Sequence, residues 1–146
     1  MDFQPANLFI RGASPGQGFS FGQHFELNHP LTVYKYLNAA YHVGIIEQPL
    51  SAAEALVPPI YVTTHRYYTG IQALRALAIP GPLPTHVLEI NLPPGEEVEL
   101  QGPSWITPLD PSDVTALPAE HRDGNGTQFL VWTPLKADWI GRAIAL

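Results

Sequence analysis

The segment PPIYVTTHRYYTGIQALRAL, residues 58–77, places two hydroxyls, an imidazole, a guanidinium and two phenols at consecutive positions from Thr63 to Tyr68. Such side chains donate and accept hydrogen bonds, carry fixed positive charge or titrate near neutral pH. Threonine is also a common helix N-cap, its oxygen accepting from an unpaired N–H of the first turn. Capping accounts for one threonine but not for a pair. Acid–base capacity is added by His24, His29, His42, His65, His86 and His121. Two imidazoles working as acid and base suit a nuclease, yet none of the six shows the i, i+4 pairing of a helical zinc site. The chain has no cysteine, which excludes thiolate catalysis, disulfides and cysteine-based zinc sites. GASPG, residues 12–16, has the letters of GxSxG but belongs to the glycine-rich GASPGQG run that reads as a flexible turn, and no GxxxxGK[ST] phosphate loop occurs, so serine-hydrolase and nucleotide-hydrolase readings lack support.

Positioning these groups requires regular elements around them. Ile60, Tyr61 and Val62 have the β-branched and aromatic character of a strand. Tyr67, Ile71, Leu74 and Ala78 share one face of a helix, with Arg66 and Gln72 elsewhere. The expected unit is a strand, a threonine pair and a helix, closed by Pro80, Pro82 and Pro84, which lack the N–H a continuing helix needs. Upstream, Asn7 to Ile10 read as a strand delivering Arg11 into the glycine-rich GASPGQG. Val33, Leu37, Ala40 and Tyr41 have helical spacing, with Gly44 as its stop. LSAAEALV reads as a second helix, with Ser51 and Glu54 as a capping box. Downstream, HVLEINL reads as a strand and PPGEEVEL as a turn feeding another. GPSWITPLDPSDVTALPAEHRDGNG is irregular and ends in a GNG turn that suits positive φ. TQFLVW is a strand, and KADWIGRAIAL turns into a last one. No internal repeat is visible. The pattern implies an α+β domain of mainly antiparallel sheets with a few helices on one side.

A chain of 146 residues, 45% hydrophobic, suits a single domain spanning 1–146 with a substantial core. Its 16 prolines and 12 glycines call for rigid or sharply turned connections. A net charge of −6 argues against a broad phosphate-tracking surface, while a local basic cleft built from Arg11, Arg66 and Arg75 stays compatible with it. MDFQPANLFIRG lacks a basic start followed by an apolar run, and no later stretch approaches a membrane span, so no membrane partner is expected.

Taken in order, LFIRG, GFSFGQHF, a segment ending at His42, YVTT before a helix, HVLEINLPPG and GNGTQFLVWTPLKADWIGRAI form a pattern across residues 8–144. This order resembles the ADP-ribosyltransferase toxins of the arginine, serine/threonine, glutamate type, a group including cholera-like and pierisin-like enzymes and bacterial effector domains. The resemblance implies an ADP-ribosyltransferase-like fold and NAD as substrate, with no metal. It implies that Arg11 grips the NAD phosphates and ribose, as a guanidinium fork can. Thr63 and Thr64 would bind the nicotinamide-side ribose and orient the catalytic side chain, and Tyr67 or Tyr68 would stack on the nicotinamide ring. The family's catalytic glutamate falls on Gln128 here, which accepts the same hydrogen bond but brings no negative charge; Glu96, Glu97, Glu99 and Glu120 read as surface charges. The implied activity is transfer of ADP-ribose to a macromolecule of a target cell, a protein in preference to a nucleic acid. A secreted or injected effector acting in the target-cell cytoplasm, with an immunity protein as a partner, completes that expectation. Two further readings are an inert scaffold of the same kind serving as a protein-binding module, and a histidine-dependent nuclease toxin.

Overall fold

The computed structural model describes residues 24–77, 82–105 and 127–146. Arg11, the strand expected at Asn7 to Ile10, Glu120, His121 and the GNG turn lie outside them. The strands are β1 (His24–Leu27), β2 (Leu31–Leu37), β3 (Ile60–Val62), β4 (His86–Leu92), β5 (Gly95–Trp105), β6 (Thr127–Val131) and β7 (Ile140–Ala145). Short helices are α1 (Val43–Glu47), α2 (Ala52–Ala55) and α3 (Gly70–Ala76), with 3-10 turns at Pro49–Ser51 and Ala137–Trp139. Every strand pair among the described residues is antiparallel, so the α+β, mainly antiparallel architecture with few helices holds.

The strands make two sheets, one ordered β1-β5-β6-β3 and the other β2-β4-β7. Among the described residues one isolated β-bridge, Tyr34 to Thr63, joins them, through Tyr34 N to Thr63 O at 2.7 Å and Thr63 N to Tyr34 O at 3.0 Å. Both sheets feed one apolar core. Val33 and Leu37 from β2, Leu88 and Ile90 from β4, Leu100 from β5 and Phe129 from β6 are all essentially inaccessible to water. Each such side chain stabilises the fold by about 1.5–3 kcal/mol through removal of apolar surface from water. Glycine is required at one irregularity near the seam. The β5–β6 register shifts between Gln101 and Ser104, and Gly102 there has φ +142, with an added Cβ meeting Phe129 Cδ1 at 2.8 Å.

Three sequence expectations change. The helix expected from Val33 to Tyr41 is the strand β2, paired with β4 from Leu31↔Leu92 to Leu37↔His86. Its Val33 and Leu37 satisfy a helical spacing, but Leu31, Val33 and Leu37 also alternate as one strand face, and all three are buried. Long-range pairing and the β-branched and aromatic residues Thr32, Val33, Tyr34 and Tyr36 decide the conflict. The helix comes later, as α1, and contains Gly44 rather than ending before it. Second, α3 begins at Gly70, so Tyr67 and Tyr68 precede it. Its N-cap is Thr69, whose hydroxyl accepts from Gln72 N at 3.1 Å; neither Thr63 nor Thr64 caps it. Third, Ser51 precedes α2 without capping it, and its hydroxyl donates to Gly44 O at 3.4 Å.

Candidate functional site

A cavity of about 180 Å3 opens at the seam between the sheets. From β2 it is lined by Tyr34, Lys35 and Tyr36; β3 adds Tyr61 and Val62, and Leu77 closes it from the end of α3. Thr63 and Gln128 complete the wall. The strand pairing explains why these two meet. Val62 lies opposite Phe129 in the antiparallel β3–β6 pair, so one further step in that register sets Thr63 against Gln128.

Thr63 is 1% exposed and held on both sides by backbone bonds to Tyr34. Its hydroxyl accepts from His65 N at 3.3 Å, which leaves its proton available to a ligand. Gln128 is 9% exposed, and its Nε2 has no hydrogen-bond partner among the described residues. A buried amide donor left unpaired costs about 1–3 kcal/mol, so an acceptor supplied from outside would relieve a real penalty.

Lys35 stands on the inward face of β2, at the alternation shared by Leu31, Val33 and Leu37. Its ammonium donates to Tyr61 O at 3.3 Å, and it forms no ion pair among the described residues. Part of the side chain reaches solvent, yet the protein packed around it desolvates the charge and lowers the amine's pKa below its usual value. Desolvation by burial acts the other way on the phenols, raising that of Tyr34 and pushing that of Tyr36 up to about 12. These tyrosines remain neutral donors and acceptors across physiological pH.

The other expected site residues take different places. Thr64 is half-buried and does not line the cavity. Tyr67 sits behind Tyr36: its N–H donates to the Tyr36 hydroxyl, which donates back to Tyr67 O at 3.2 Å. The Tyr67 ring rests 5.9 Å from that of Tyr36 and 4.4 Å from that of His65. Thus Tyr67 braces a cavity wall. Tyr68 is 71% exposed, with the Arg66 guanidinium 4.9 Å above its ring. Arg11 lies outside the described residues. Sequence reasoning missed Tyr34, Lys35, Tyr36 and Tyr61 as site residues; for the first three the period-two alternation of LTVYKYL was the available signal.

The described histidines are dispersed. His24 contacts Glu99 at 3.0 Å, His29 Nδ1 lies 3.0 Å from Pro30 O, and His86 pairs with Thr85 at 2.9 Å. His42 accepts from Asn38 N at 3.1 Å, and burial lowers its pKa, favouring the neutral ring. No group of three or more His, Cys, Asp or Glu among the described residues is placed to hold a metal. Glu97 and Glu99 are surface carboxylates, paired with Lys136 and His24. No described helix is long and apolar enough to cross a membrane. No protein-family model, curated protein or solved structure matches the chain.

Proposed function

We propose that the protein is an NAD-dependent ADP-ribosyltransferase domain of a toxin or secreted effector, with the seam cavity receiving the nicotinamide end of NAD. The observation carrying this reading is that Thr63 and Gln128, 65 positions apart in sequence, line one cavity at the junction of two antiparallel sheets. An engineered cavity of roughly 150 Å3 holds benzene, so about 180 Å3 accommodates a single ring with a substituent. The remainder of the dinucleotide would extend outward, with Arg11 as the group suited to its phosphates.

In the reaction proposed, nicotinamide leaves the ribose anomeric carbon and a nucleophile of the acceptor, a protein in preference to a nucleic acid, takes its place. Positive charge develops on the ribose as the bond breaks, and a carboxylate facing it stabilises that charge. Thr63 would hold a ribose hydroxyl, and Gln128 would accept or donate at the ribose without charge stabilisation; Thr64, outside the cavity lining, would at most support Thr63. Losing one electrostatic stabiliser slows such a step by about 10²–10³-fold. The test is to incubate Gln128→Glu with labelled NAD and a cell lysate. Label transferred to a macromolecule, faster than with the parent chain, supports the reading; a folded Gln128→Glu protein that neither consumes NAD nor transfers label overturns it.

The lack of a carboxylate among the described cavity-lining residues favours a second reading, an inert binding module on the same scaffold. That module would keep its ligand or partner and gain no turnover from Gln128→Glu.

A further inference from the structure

The cavity presents donors in excess of acceptors. Lys35 Nζ donates to Tyr61 O at 3.3 Å and has further donor capacity, while Gln128 Nε2 has no partner among the described residues. Among the described residues no Asp or Glu lines the cavity, and the nearby Glu89 is engaged by Arg142 at 3.4 Å. Residues of three strands therefore bring hydrogen-bond capacity to the lining of one space, with no carboxylate among its described lining residues. The overall charge of −6 repels anions at a distance, so any anion held here is selected locally, by Lys35.

Shape narrows the ligand further. Tyr34, Tyr36 and Tyr61 line the cavity, with Val62 and Leu77 beside them. The volume admits one ring and a small substituent. A carboxylate has two oxygens, one for a charged donor and one for a neutral donor, and charge-assisted bonds of this kind are roughly twice as strong as neutral ones.

We propose that the seam cavity is a binding site for a monocyclic aromatic carboxylate, its ring between the tyrosines and its carboxylate bridging Lys35 and Gln128. The proposal names the ligand class of the cavity assigned above and rests on that reading only in taking the cavity as a ligand site. It does not require NAD.

The experiment titrates benzoate and nicotinate, each against its amide, benzamide or nicotinamide, into the full chain by calorimetry, with NAD titrated in parallel. The parent chain is expected to bind each carboxylate about tenfold or more tighter than its amide. Lys35→Met should remove that preference while leaving the amides nearly unchanged, and Gln128→Met should weaken all four probes. Equal or tighter binding of the amides, or no binding of any probe, overturns the proposal, and neither outcome needs a variant to fold. Carboxylate binding without NAD binding sustains this site and removes the transferase reading; NAD binding with amide preference does the reverse.

Discussion

Gln128 is held against the interest of stability, and this can be measured. Its side chain is 9% exposed and its amide nitrogen has no partner among the described residues, which costs about 1–3 kcal/mol. Methionine has similar reach and no polar atom, so Gln128→Met removes the orphaned donor without opening a large void. Against the gain stands loss of whatever bond the amide oxygen makes, about 1 kcal/mol. The net expectation is a stabilisation of about 1 kcal/mol, which for a domain this size raises Tm by about 4 °C. Urea unfolding followed by tryptophan fluorescence, with a thermal melt as a second readout, measures it in ligand-free protein. A Tm lowered by several degrees would refute the reasoning, since it would mean that the amide is already satisfied within the folded chain.

Gly102→Ala should destabilise by about 2–4 kcal/mol, because φ +142 disfavours any side chain and the new Cβ meets Phe129 Cδ1 at 2.8 Å; a urea midpoint unchanged from the parent would contradict this. Thr69→Ala should cost about 1 kcal/mol by removing the cap on Gln72 N, whereas Thr63→Ala should not behave as a cap loss; helix-region hydrogen exchange separates the two. Tyr36 has its pKa raised, by burial above all, from 10.0 to about 12. Between those values the folded state binds more protons than the unfolded one, so stability contributed by Tyr36 is present below pH 10 and lost as pH rises to about 12. Urea midpoints should therefore fall more steeply over that range for the parent than for Tyr36→Phe, and parallel curves would show that the phenol is not perturbed.

Local order was legible where composition and periodicity agreed. HVLEINL and TQFLV are aliphatic runs bounded by turn residues, and they form β4 and β6. β2 was illegible because Val33, Leu37, Ala40 and Tyr41 fit a helical period while Leu31, Val33 and Leu37 fit a strand period; only pairing with β4, more than fifty residues away in sequence for Leu31↔Leu92, resolves it. That misreading hid Lys35, since a lysine inside a presumed helix reads as solvent-facing. Thr63 stood out as one of an unexplained hydroxyl pair, and Thr69 rather than either member supplies the cap. Gln128 carried no local signal; the resemblance alone marked it, and β3–β6 pairing places it beside Thr63. The Tyr36–Tyr67 brace joins residues from separate elements through one hydroxyl, a contact no periodicity encodes.

The most direct measurement is a calorimetric titration of NAD into the full chain, accompanied by its thermal melt. Saturable binding is expected, displaced by nicotinamide, weakened by Thr63→Val and by Gln128→Met, and stabilising the protein by about 1.4 kcal/mol at ten times Kd. A folded protein giving neither heat nor a Tm shift at millimolar NAD would contradict it.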